Sequence, residues 1–151
     1  MRKEFQMEKT EVAIDVFENG FNCAQSVVAA FVEQTGLPQQ TAYRIACGFG
    51  AGMGRRQQTC GAVTGGVIVI GAKYGKDADR TDLDKEKTYQ MVVDFTRAFE
   101  EKHSTTECRK LLGCDLTTVD GKRHFEESDL HSTVCVECVK DAVTILDGLL
   151  G

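Results

Sequence analysis

The residues of this chain with the most chemistry to offer are its seven cysteines, Cys23, Cys47, Cys60, Cys108, Cys114, Cys135 and Cys138. A thiolate is both a nucleophile and a soft metal ligand, so their number points to thiol–disulfide exchange or metal coordination before any other reaction. Cys60 has the most favourable local setting. It stands where the glycine-rich stretch from Gly48 to Gly54 runs into an apolar segment that reads as a helix. The unpaired N–H groups and the dipole at a helix N-terminus stabilise an anion there. Arg55 and Arg56 are near enough in sequence to add positive charge. Without such a setting, a buried free cysteine is a small inert hydrophobe.

Cys135 and Cys138 form a Cys-x-x-Cys pair at a predicted helix start, a spacing at which two thiols can act as a dithiol. No strand precedes the pair and no alternation of strand and helix surrounds it, so it is thioredoxin-like in spacing alone. The pair also lacks the histidine that completes a c-type haem attachment site. Cys108 and Cys114 flank a predicted helix end, where a local disulfide and a shared metal are equally compatible with the spacing; neither pair has zinc-finger spacing. His103 and His131 precede Cys108 and Cys135 and are candidate bases or ligands, although loop histidines are more often solvated. The glycine run is not a dinucleotide motif, because Arg55 stands where the last glycine counted from Gly50 would be, and no Gly-Lys-Ser/Thr follows to make a phosphate loop.

The elements that must position these thiols read as helical. Apolar residues recur at three- and four-residue spacing, with no pair of alternating runs around a hairpin signal. The expectation is an all-α, single-domain bundle of about six or seven helices over residues 1–151, packed around a buried glycine-rich central helix. The spacing predicts a first helix from Arg2 to Glu18 with Phe5 on its apolar side. A second, capped by Asn22, carries Cys23 and runs to Thr35, and a third has Pro38 in its first turn and ends near Cys47. The segment Cys60 to Ala72 is apolar on all sides and reads as the central helix. Lys76 to Asp84 reads as a charged loop and Leu83 to Lys102 as a long amphipathic helix. Thr106 is placed as the cap of a short helix ended by Gly113, Thr117 to Leu130 as a polar loop, and a last helix starts near Ser132.

Composition narrows the function. A chain of 151 residues buries enough surface to fold without staples. Its cysteine content is about 5%, below the roughly 8–10% of disulfide-dependent scaffolds. The N-terminus has no apolar signal region, so a cytoplasmic, reducing location is expected. The most apolar stretch, Gly61 to Ala72, is too short to span a bilayer. A net charge of −5 with scattered acidic residues offers no stripe for nucleic-acid phosphates.

Cys60-Gly61-Ala62-Val63-Thr64-Gly65 resembles the signature of the C_GCAxxG_C_C family of redox-active proteins, single-domain chains with four widely spaced cysteines. The likeness extends nearly end to end, through Asn22-Cys23-Ala24-Gln25-Ser26-Val27, Phe49-Gly50-Ala51-Gly52-Met53-Gly54, Cys108-Arg109-Lys110-Leu111-Leu112-Gly113, and Cys135 ahead of Val139 and Ala142. The resemblance implies that Cys23, Cys60, Cys108 and Cys135 are the functional set, whether as catalytic thiols or as ligands, and that Cys47, Cys114 and Cys138 are extras. Three functions follow as expectations: thiol redox chemistry led by Cys60 with a neighbouring cysteine resolving the product, an iron–sulfur cluster or zinc held by the same four thiolates, or a helical accessory protein with inert cysteines. An unidentified redox partner is implied, and a homo-oligomer is compatible with each.

Overall fold

The computed structural model describes residues 7–151, and every regular element among them is helical, as the all-α expectation requires. The chain is cut into more and shorter helices than six or seven. Helix α1 (Lys9–Glu18) begins at Glu8, whose side chain and that of Glu11 cap each other's backbone N–H groups. The predicted start at Arg2 and the position of Phe5 lie outside the described residues. Helix α2 (Cys23–Ala29) starts where expected, because Asn22 accepts from the Gln25 N–H at 3.0 Å and the Gln25 side chain accepts from the Asn22 N–H at 2.9 Å. It does not continue to Thr35. Phe31, at φ −118°, breaks the helix, and α3 (Val32–Thr35) is a separate turn ended by Gly36 in the left-handed region. Helix α4 (Gln39–Ala46) follows Pro38, which is its N-cap rather than a first-turn residue.

A 3-10 turn (Cys47–Phe49) then leads into the short turn α5 (Gly50–Met53), which begins with extended Gly50 and continues left-handed. Ala51, Gly52, Met53, Gly54 and Arg55 all have φ between 50° and 69°, and Gln57 follows at 53°. A left-handed turn of L-residues costs about 1–2 kcal/mol per residue, so it must be held from outside. Backbone bonds from Gly54 to Gly48 and from Gln57 to Ala51, both 3.0 Å, close it. The buried Gln57 side chain ties it to the far end of the chain, donating to the Cys114 carbonyl at 2.8 Å and accepting from the Leu116 N–H at 2.7 Å. Gly52 is obligatory in this turn, because a Cβ there would lie 2.5–2.7 Å from the backbone of Gln57 and Gln58.

Helix α6 (Gly61–Tyr74) packs against α2, α7 (Asp82–His103) and α10 (Val136–Leu150). Gly65 brings it against the Ala24 backbone, and Gly66 makes room for the Phe95 ring of α7. Helix α8 (Cys108–Leu112) ends at left-handed Gly113 as its sequence predicts, but its cap is Glu107 rather than Thr106. The Thr106 carbonyl instead accepts from the Cys60 N–H at 2.7 Å. The expected loop from Thr117 to Leu130 is largely a helix, α9 (Val119–Glu127), nucleated by the Thr118 hydroxyl accepting from the Gly121 N–H at 2.9 Å. Gly121 in the middle and a mostly exposed, polar surface hide the helical period, while Gly121 itself lets the turn pack on Asp115. A π-helical turn (His131–Cys135) leads into α10. Among the described residues no helix is long and apolar enough to cross a membrane.

Candidate functional site

Five cysteines converge on one cavity. Cys23 sits at the first position of α2, Cys60 caps α6, Cys108 opens α8, and Cys135 and Cys138 flank the start of α10. All five line a space of about 170 Å³ whose remaining wall is almost wholly apolar and includes Phe17, Leu112, Phe125 and Val134. The four cysteines implied by the family resemblance are therefore brought together, and Cys138 joins them. Cys47 is exposed and outside the cavity; Cys114 is half-buried beside Cys135 without lining it.

Local interactions explain the convergence. The Asn22 amide donates to the Cys47 carbonyl at 2.8 Å, pinning the start of α2 to the glycine-rich turn. Residues 57–60 lie alongside 106–109, with Cys108 N–H donating to the Gln58 carbonyl at 2.7 Å and Cys60 N–H to the Thr106 carbonyl, so Cys60 and Cys108 arrive side by side. Gly61 allows Cys23 to approach. A Cβ on Gly61 would lie 3.0 Å from the Cys23 Cβ, 3.1 Å from the Ala24 nitrogen and 3.2 Å from the Phe49 carbonyl oxygen.

The thiols are unequal. Cys138 donates a hydrogen bond to the Cys60 sulfur, and this bond, with the backbone N–H groups of Ala62 and Val63 at the helix N-terminus, draws the Cys60 thiol below its ordinary range against the opposing effect of burial. The same bond, with burial, pushes Cys138 far upward. Cys23 and Cys135 make a second pair: their hydrogen bond, burial and the neighbouring sulfurs hold Cys23 well above its ordinary range, and the bond draws Cys135 down. Burial pushes Cys108 up to about 12, with Cys60, Cys135 and Cys114 adding to it. Burial, Asp115 and Cys135 raise Cys114. Arg55 and Arg56 are exposed and take no part in the Cys60 environment; a neighbouring thiol and the helix N-terminus replace the expected arginine charge.

Within the Cys-x-x-Cys motif the two sulfurs have different partners, Cys135 interacting with Cys23 at the start of α2 and Cys138 with Cys60 at the start of α6. Among the described residues no three His, Cys, Asp or Glu side chains form a group arranged to hold a metal ion. Of the two candidate histidines, His131 stacks flat on Phe17 at the cavity wall, with ring centroids 4.2 Å apart. His103 stacks on Phe99 and reaches Cys138, its Nδ1 lying 4.0 Å from the sulfur. The sequence names His103 as a candidate base or ligand and Cys138 as half of the Cys-x-x-Cys pair and an extra to the family set, but the two are 35 positions apart, so no local spacing joins them.

Fold and site together define an all-helical protein in which five thiols share one cavity. The profile of the family described as "Putative redox-active protein (C_GCAxxG_C_C)" matches residues 21–149, and the chain belongs to that family. No curated protein and no solved structure matches it.

Proposed function

We propose that the protein is a thiol–disulfide oxidoreductase in which Cys60 is the nucleophile and Cys138 the resolving thiol. The observation that carries this reading is the meeting in one cavity of Cys60, at the N-terminus of α6, and Cys138, from the first turn of α10; their interaction lowers Cys60 and raises Cys138. In this reading α6 is the central helix of the bundle and its N-terminus is the business end. The Cys60 thiolate attacks one sulfur of an external disulfide, forming a mixed disulfide and expelling one substrate thiolate. Cys138, once deprotonated, attacks the Cys60 sulfur, forming the Cys60–Cys138 disulfide and expelling the second. The protein dithiol loses two electrons and the substrate disulfide gains them. Cys23 and Cys135 form a second pair able to pass the oxidation on within the same cavity.

The cavity favours a particular substrate class. Cys60 is only 6% exposed, so a substrate sulfur must enter the pocket to reach it. A space of about 170 Å³ with an apolar wall suits a small uncharged disulfide, since ordinary ligand sites run to roughly 300–1,000 Å³.

The test uses protein purified anaerobically and analysed for iron, sulfide and zinc, then oxidised with one equivalent of dipyridyl disulfide and mapped by peptide mass spectrometry. Colourless protein with a Cys60–Cys138 link is expected. Brown protein with stoichiometric iron and sulfide would replace this reading with electron transfer by a cluster, and a first link that omits Cys60 would reassign the nucleophile.

A further inference from the structure

Resolution poses a problem that the Cys60–Cys138 pair cannot solve alone. In the reduced protein the interaction with Cys60, with burial, holds the proton on Cys138. Once Cys60 carries a substrate sulfur, that acceptor is lost, while Cys138 is 1% exposed. The basic group in contact with it is His103 from the end of α7. His103 Nδ1 lies 4.0 Å from the Cys138 sulfur, and His103 Nε2 lies 2.8 Å from Oδ2 of Asp141, one turn along α10 from Cys138. A carboxylate at Nε2 keeps the proton on that nitrogen, which leaves the Nδ1 lone pair facing the thiol. Stacking on Phe99 fixes the ring plane, and the Lys102 ammonium, 3.7 Å from the other Asp141 oxygen, holds the carboxylate in place. The outer edge of the ring opens to a groove bounded by Lys102, Lys110 and Glu137, a route by which a proton reaches solvent.

From this geometry we infer that His103 is the general base of the resolving step and Asp141 the residue that positions it, the three side chains forming a Cys138–His103–Asp141 relay. The inference rests on the exchange reading above. As Cys138 attacks the mixed disulfide, its S–H bond breaks and the proton passes to Nδ1; the Cys60–Cys138 bond forms, the bond from Cys60 to the substrate sulfur breaks, and the departing thiolate takes up a proton from the imidazolium or from the groove.

The experiment follows single turnovers of the reduced full-length protein with dipyridyl disulfide, quenched with acid and quantified by mass spectrometry as Cys60 adduct and Cys60–Cys138 disulfide. His103→Gln keeps a donor toward Asp141 but removes the base. It is expected to slow adduct resolution by about a hundredfold, the lower range for a general base, and far more than adduct formation. Its resolution rate should rise in proportion to hydroxide at pH values where the native rate has levelled, a signature that a packing role for His103 would not produce. Asp141→Asn, at a partly exposed position, should slow the same step in the same direction and replaces His103→Gln if that variant does not fold. Equal adduct lifetimes in the native protein and the folded variant would overturn the relay while leaving exchange intact. Absence of any Cys60 adduct or Cys60–Cys138 link in the native protein would overturn the assignment of Cys60 and Cys138 as nucleophile and resolving thiol, and the relay with it.

Discussion

Replacing Gly61 by alanine, with Gly71→Ala as its matched control, tests whether the glycines of α6 serve the thiol site. Both residues lie in the same helix, and both substitutions gain helix propensity, up to about 1 kcal/mol relative to glycine. A Cβ at Gly71 meets nothing within 4 Å, so Gly71→Ala should realise most of that gain. At Gly61 the new carbon would lie 3.0 Å from the Cys23 Cβ, 3.1 Å from the Ala24 nitrogen and 3.2 Å from the Phe49 carbonyl oxygen. None of these is the end of a flexible side chain, so α2 or the glycine-rich turn must shift. Overpacking of this kind costs about 1–3 kcal/mol, which outweighs the propensity gain at a first-turn position and leaves Gly61→Ala destabilised by about 1–2 kcal/mol. Thermal unfolding of the reduced proteins under anaerobic conditions should separate the two variants by about 5–10 °C, with Gly71→Ala the higher. Because the strain falls on Cys23, Gly61→Ala should also weaken the Cys23–Cys135 pair, read as faster alkylation of Cys23. Equal melting temperatures for the two variants would refute the close approach of α2 to the start of α6 on which the site is built.

Two further expectations concern ionisation. Because Cys138 donates to the Cys60 sulfur, native Cys60 should keep its plateau alkylation rate at pH values below the ordinary thiol value of about 8.5, and Cys138→Ala should move the midpoint upward; an unmoved midpoint would mean that the helix terminus alone sets Cys60. Burial raises Cys108 to about 12 in the folded protein, so its contribution to stability is complete below the unfolded value of about 8.5 and is lost as pH rises toward 12. Urea unfolding should therefore show native stability falling by up to about 1.4 kcal/mol per pH unit more than that of Cys108→Ala in this window, and parallel losses in the two proteins would refute the assignment.

Much of the local structure was legible because its causes are local. Asn22 and Gln25 cap each other within one turn, Gly36 and Gly113 end helices by adopting a conformation that other residues resist, and Cys60 precedes an apolar run that can only be buried. Helix α9 escaped notice because Gly121 and a solvated surface erase the periodicity that reveals a helix, and its cap is a single threonine hydroxyl. The left-handed turn was legible only as a break. Its actual path, with Ala51, Met53, Arg55 and Gln57 at positive φ, opposes the preference of those residues and is held by Gln57 bonding to a segment more than fifty positions away.

The sequence by itself determined the all-helical class, the family, and Cys60 as the cap of a buried helix, since composition, period and motif act over a few residues at a time. Which sulfur faces which, the entry of Cys138 into the site, and the placing of His103 between Cys138 and Asp141 were decided by the packing of α7 and α10 against α6. Thiol chemistry depends on contacts of a few ångströms between side chains distant along the chain, and only the tertiary fold sets those distances.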